Sequence, residues 1–275
     1  MTRAATREQA LASLGAAGAQ PDERFPLFDA ALDCAMHEDP NRNPEPARAL
    51  VTEAAARLRD RLRQERPEDA ICEALGSDMG LNGDHLTYDD PKNADLIAVC
   101  ERRKGLPVAL GVIYVEAGRR CSMDIRGVDF PGHFLLRLET DQGPIALDPF
   151  EGGRVVMPSE LTQRAFAAGL TPDVADRIDL LMMPAPDRMI VMRLQNNIFA
   201  RAIRRGDYAQ AERSALRRAV LDPKDHRPWL DVAAAREGQG ALTGALEALG
   251  RAQILDGGAT IAARAARERM RMRLN

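Results

Sequence analysis

The chain is poor in aromatic residues, lysine and cysteine, and it has no long apolar run. Aromatics supply only 4% of 275 residues, so the core must come from Ala, Leu, Val, Ile and Met. That composition favours helices over an all-β sandwich. Lysine occurs only at Lys92, Lys104 and Lys224, so arginine carries nearly all the positive charge. A net charge of −3 argues against a nucleic-acid binder that works through bulk charge. Cys34, Cys72, Cys100 and Cys121 are scattered, with no C-x-x-C pair and no histidine at ligand spacing. Neither a disulfide frame nor a zinc site is indicated, and no metal or cofactor is expected. No apolar stretch follows Met1-Thr2-Arg3-Ala4, so no secretory signal is read there. No window reaches the roughly 18 uninterrupted apolar residues that a membrane helix needs. The expectation is a reduced, cytoplasmic protein with neither a membrane nor a nucleic-acid partner.

What is present is mostly helical periodicity. Residues 7–19 are Ala-rich, Phe25 to Met36 repeats apolar positions at helical spacing, and Ala47 to Arg66 is long and amphipathic. A short helix is expected near 70–75, then a loop rich in Gly, Asp and Asn over 76–91, with Asn93 as N-cap of a helix running to Arg103. Pro107 to Arg120 differs in kind, because Val108 to Val115 is apolar on every face. Such a helix is buried all round, and Pro107 suits its first position. Periodicity alone would also allow a strand; the length favours helix. Segments with β character follow at 123–130, 134–139 and 145–147, the last two separated by Thr140-Asp141-Gln142-Gly143, a turn sequence. Helix followed by sheet, without alternation, indicates an α+β class. Residues 172–186 read as a connector.

From Met189 the chain repeats itself. Gly206-Asp207-Tyr208 with Ala211 recurs as Gly240-Ala241-Leu242 with Ala245, and Leu221-Asp222-Pro223 as Leu255-Asp256-Gly257, both at an offset of 34 residues. Two units are fewer than a free-standing solenoid needs, so the tail is expected to dock on the first domain, with Leu194, Ile198 and Ile203 at the contact. An Arg-rich helix is expected over 259–274 as its cap. The domains are therefore 1–186 and 187–275.

The chemistry-bearing residues lie between Arg102 and Gly153. With a turn centred on Thr140-Asp141, His133 faces Asp148 and Leu135 faces Ala146, all on one side of a hairpin. Phe134, Leu136, Ile145 and Leu147 fall on the other, apolar side. Directly opposed residues have Cβ atoms about 4.5–5.5 Å apart, close enough for a carboxylate to hold an imidazole. A turn centred one step later keeps the pair on one face as diagonal neighbours. An aspartate that orients a histidine fixes its tautomer and stabilises its charged form. A histidine after Pro-Gly and an aspartate before Pro also serve as ordinary loop punctuation.

A thiol nucleophile would sit at the start of a buried helix, where the dipole lowers its pKa. Here those positions are Leu106, Pro107, Val108 and Ala109, and none of them can attack a substrate. Cys121 lies about 20 Å away at the far end, and Cys100 sits one helix back. Arg102-Arg103-Lys104 suits an anion at the helix start, or equally serves as C-terminal charge on the preceding helix. Asp84, Asp89, Asp90 and Asn93 suit turns better than a metal, since EF-hand spacing is absent.

These blocks together carry a resemblance: Tyr88-Asp89-Asp90-Pro91-Lys92-Asn93, Glu101 to Val108, Val128 to Arg137 and Asp148-Pro149-Phe150-Glu151-Gly152-Gly153. Over roughly residues 22–256 the chain resembles the SirB-type family, a bacterial group with a transglutaminase-like domain followed by tetratricopeptide-like helices. The resemblance implies a papain/transglutaminase-like core with N-terminal helices and a small antiparallel sheet, then an all-α tetratricopeptide-like tail. It also implies that His133 and Asp148 occupy the histidine and aspartate positions of that superfamily, and that Pro107 or a neighbour stands where the cysteine would be. Gly132, Arg102 and Arg103 join Pro107 as candidate binding residues. The expected function is non-catalytic regulation or scaffolding, with a protein partner on the helical repeats. Two alternatives stay open: a hydrolase or acyl-transfer enzyme in which the His133–Asp148 pair activates water, and a small-molecule binding module in the same groove.

Overall fold

The computed structural model describes residues 6–257 and residue 268. The helix expected over 259–274 therefore lies, Glu268 apart, outside the described residues. In chain order the first helices are α1 (Arg7–Gly18), α2 (Leu27–Glu38), α3 (Glu45–Arg61) and α4 (Pro67–Ile71), the last continued by a π-helical stretch, Cys72–Asp78. After β1 (Asn82–Gly83) come α5 (Leu96–Arg102), β2 (Lys104–Gly105) and α6 (Pro107–Arg119). The sheet follows as β3 (Ile125–Val128), β4 (Leu135–Thr140), β5 (Gly143–Asp148) and β6 (Arg154–Val156). Then come α7 (Pro158–Ala167), α8 (Pro172–Ala175), α9 (Ile178–Leu181) and α10 (Asp187–Arg205). The chain closes with α11 (Tyr208–Leu221), α12 (Arg227–Gly238) and α13 (Leu242–Leu255).

The chain forms two compact units, and neither is continuous in sequence. One comprises residues 26–32 and 43–191; the other comprises 1–25, 33–42 and 192–275. This differs from a simple division at 186. The N-terminal helix groups with the tail because α1 packs on α11, where a Cβ at Gly18 would lie 2.1 Å from the carbonyl oxygen of Val220.

In the first unit the organising element is α6. Every residue from Pro107 to Val115 is buried, as expected of a helix apolar all round. It packs on α3, α5, β3 and β4. Full burial of Leu110, Val112, Ile113 and Val115 contributes roughly 1.5–3 kcal/mol for each side chain. Tyr114 is the polar exception, and its hydroxyl donates to the carbonyl oxygen of Leu81 at 2.9 Å. Replacing Tyr114 with Phe strands that buried carbonyl and should cost about 1–2 kcal/mol, read as a lower urea midpoint with an unchanged slope.

The four-stranded sheet is antiparallel throughout, in the order β3-β4-β5-β6. Its register differs by one step from the one expected first. Leu136 pairs with Leu147 and Thr140 with Gly143, so the two-residue turn is Asp141-Gln142. Gly143, at φ +111, tolerates the backbone that follows. The faces are unchanged, because the whole ladder keeps its parity. Leu135, Ala146 and Val156 lie in one apolar cluster with Leu161 and Ala165 of α7.

Local differences have local causes. The helix after the 76–91 loop starts at Leu96 with Asp95 as N-cap, its carboxylate accepting from Ala98 N at 2.8 Å. Asn93 is instead fully buried and ties the preceding loop together. The 172–186 connector contains α8 and α9, and β6 and α7 are elements that periodicity alone did not separate.

In the second unit α11, α12 and α13 pack in succession. The first and last of these are both 14 residues long and begin 34 residues apart, at Tyr208 and Leu242. Leu194 is buried, while Ile198 and Ile203 are half-buried; Ile203 packs against Ala202, Ala211 and Ala235 within this unit. Among the described residues no helix is long and apolar enough to cross a membrane.

Candidate functional site

His133 precedes β4 rather than lying within it. The backbone turns at Pro131-Gly132, with Gly132 at φ +72 and His133 N bonded to the Phe130 carbonyl at 3.0 Å. Proline followed by a residue of positive φ is the type II pattern, which glycine satisfies without strain. The turn lifts the imidazole over the end of β5, and there Nε2 lies 3.0 and 3.1 Å from the two carboxylate oxygens of Asp148. A carboxylate only accepts, so Nε2 carries the proton and donates. Nδ1 bonds no group among the described residues.

Asp148 is completely buried and makes more bonds than an orienting role requires. Phe150 N donates to it at 3.0 Å and Arg164 Nη1 at 2.7 Å. Burial alone would raise this carboxyl, but bonds and charge from His133 and Arg164 outweigh it and hold the group below the ordinary carboxylate range. Arg164 comes from α7 and pairs with Glu160 one turn earlier, at 2.7 Å; Arg154 meets the same carboxylate at 2.8 Å. The pair is thus the inner end of a charge chain running through Arg164 and Glu160 to Arg154. No sequence signal marked Arg164 as Asp148's partner, since Glu160–Arg164 reads as an ordinary i,i+4 pair.

Phe150 closes the site from the side. Its ring stands edge-on to His133 at 6.3 Å, to His85 at 4.6 Å and to Tyr88 at 5.8 Å between centroids. It fits because residue 83 is glycine; a Cβ there would fall 2.5 Å from the Phe150 ring. His85 has no sequence signal and Tyr88 entered only as part of the 88–93 block, because both sit in a loop without periodicity. Leu86, between them, is 90% exposed.

The remaining candidates have other partners. Leu106, Pro107, Val108 and Ala109 are buried at the start of α6, so this helix N-terminus presents no nucleophile. Arg102 donates to Asp84 at 2.7 Å and to Asn93 at 3.0 Å, and Arg103 donates to the Met79 carbonyl at 3.0 Å. Both guanidinium groups clamp the 79–93 loop. Asp84 also accepts from the hydroxyl and amide of Thr87, and these bonds hold its carboxyl well below the usual range. Asn93 donates to the Thr87 carbonyl and accepts from Leu106 N through its own carbonyl. The loop beside Phe150 is thereby fixed to the start of α6. Cys34 and Cys100 are buried, and burial pushes up the half-buried thiols of Cys72 and Cys121, which makes them poor nucleophiles.

Residues 45–196 match the model of the transglutaminase-like superfamily. A UPF0162 protein of Xylella fastidiosa strain Temecula1 is 35% identical over 237 residues, covering 84% of each chain. A UPF0162 protein of Vibrio cholerae is 37% identical over 110 residues, covering 38% of this chain and 40% of its own. F-box only protein 21 of Mus musculus is 30% identical over 83 residues, which is 30% of this chain and 13% of that protein. No solved structure matches.

Proposed function

This chain belongs to the transglutaminase-like superfamily, and from that membership we propose that it is a regulatory or scaffolding protein whose former acyl-transfer site serves as a binding groove. The observation that carries this reading is the start of α6, where Leu106, Pro107, Val108 and Ala109 are buried, at the position that the family resemblance implies for the nucleophile. Covalent acyl transfer requires an attacking group there. Asp148 supports the same reading, because a permanent cation, Arg164, shares the carboxylate that would otherwise serve the imidazole alone. The finer assignment to a SirB-type bacterial protein rests on the ordered sequence blocks, and the cytoplasm on the scattered cysteines, which form no disulfide frame. A tetratricopeptide-like tail that takes a protein partner is supported by the matched helices α11 and α13 and by exposed Tyr208, Ile254 and Leu255.

A second reading is favoured by one feature. His133 is 24% exposed at its side chain and its Nδ1 bonds no group among the described residues, a geometry that suits a base toward water.

A panel of peptide amides and esters separates the two readings. The purified chain is expected to give no turnover above buffer, and His133→Ala to leave that background unchanged. Turnover that disappears in His133→Ala establishes the hydrolase instead.

A further inference from the structure

A cavity of about 680 Å³ opens in the first unit, away from the His133–Phe150 contact. Its floor is formed by Ala146 and Val156, which pair across β5 and β6, with Arg137 opposite Ala146 on β4. Asp148 lies two residues along β5 from Ala146, so the cavity occupies the same sheet face nearer the hairpin turn. Leu161 of α7, Ile178 at the start of α9 and Met182 just after it supply apolar walls. The volume lies within the roughly 300–1,000 Å³ of small-molecule sites.

The charged lining is Arg66, Glu68, Arg137 and Asp179; Asp179 is exposed to solvent, and the two arginines are unequal in what they still offer. Arg66 is occupied by Asp69 at 2.8 Å and Glu68 at 3.2 Å, which also neutralises the buried Glu68. Arg137 is different: Nε donates to Glu139 at 2.6 Å and Nη1 reaches the Met182 carbonyl at 3.4 Å, while Nη2 bonds no group among the described residues. Its side chain is 22% exposed. An apolar occupant lying across that guanidinium edge would strip its water and return no bond. A carboxylate returns a charge-assisted one.

We propose that this cavity binds a small aliphatic carboxylate, its chain against Ala146, Val156 and Met182 and its carboxylate on Arg137. The inference is independent of the reading of the His133 site, since neither His133 nor Asp148 lines the cavity.

The test uses the full chain labelled at methionine methyls, titrated with decanoate, decanol and decyltrimethylammonium below their micelle concentrations. Met157 also lines the cavity, and its signal and that of Met182, assigned with Met→Leu variants, report occupancy. Decanoate is expected to shift both saturably and to bind about tenfold or more tightly than decanol, with the ammonium compound weakest. Arg137→Gln should reduce decanoate to the affinity of decanol while leaving decanol itself unchanged, which also shows the cavity intact. Equal affinities of decanoate and decanol for the parent chain, or no saturable shift, overturn the proposal. A tenfold preference that survives Arg137→Gln overturns the assignment of the carboxylate to Arg137. The preference in the parent chain decides even if the variant fails to fold.

Discussion

Asp148→Ala lowers the stability of the protein by about 3 kcal/mol or more, whereas His133→Ala costs about 1 kcal/mol. The difference follows from where the two side chains sit. Asp148 is wholly buried and holds Arg164, His133 and Phe150 N together. Its removal leaves an amide without an acceptor and a guanidinium with only Glu160. His133 is partly exposed, and its loss leaves Asp148 bound to Arg164 and Phe150 N. Asp148→Asn retains an acceptor for Phe150 N but not the charge, and should fall between the two. Urea melts of the three variants at neutral pH give the order. Equal losses for His133→Ala and Asp148→Ala would mean that the histidine, and not the arginine, is the main structural partner. The acid limb follows with its sign. The carboxyl is held below its ordinary value, so its contribution is complete above about pH 4 and is lost as pH falls through the lower folded value.

Stability also falls between pH 6.5 and 4 by up to about 2–3 kcal/mol, and His37→Gln flattens that part of the curve. His37 is buried at 4% exposure. Burial and then the charge of Arg217 push its pKa from 6.5 down to about 4, partly opposed by Glu38. The Arg217 guanidinium approaches Nδ1 at 3.5 Å, which favours the neutral ring as an acceptor. The sign is that of a histidine whose folded pKa is depressed. Below pH 6.5 the unfolded chain takes up a proton that the folded one refuses until about pH 4. Above 6.5 both states are neutral and this contribution is level. The window lies above that of the carboxylates, so the two can be separated in a series of denaturant midpoints. A midpoint independent of pH from 7 to 4.5 in the parent chain would show that His37 is not held neutral.

Much of the architecture was legible because it depends on local pattern. The length of the apolar run after Pro107 favoured a helix over a strand, and its uniform apolarity implied burial on every side; it is α6. The 34-residue offset reappears as two helices of equal length. Alternation along Phe134–Leu136 and Ile145–Leu147 fixed which residues share a face, and parity preserved that result although the turn moved one step. That residues 106–109 carry no cysteine, serine or threonine follows from residue identity alone.

Other features had no local signature. Arg164 reaches Asp148 because α7 lies across the sheet, a relation between positions 16 residues apart that no helical or strand period encodes. Asn93 looked like a helix cap, yet tertiary packing buried it as a link between the 79–93 loop and the start of α6. His85 and Tyr88 join the site only because Gly83 admits the Phe150 ring beneath them. The grouping of α1 with the tail, and the cavity by Arg137, likewise arise from how elements meet. Periodicity records which face of an element is buried, and residue identity records which chemistry is available or missing. Which distant side chain completes a charge, fills a gap or leaves one open is decided by packing, where burial makes each unmatched polar group costly and each close fit specific.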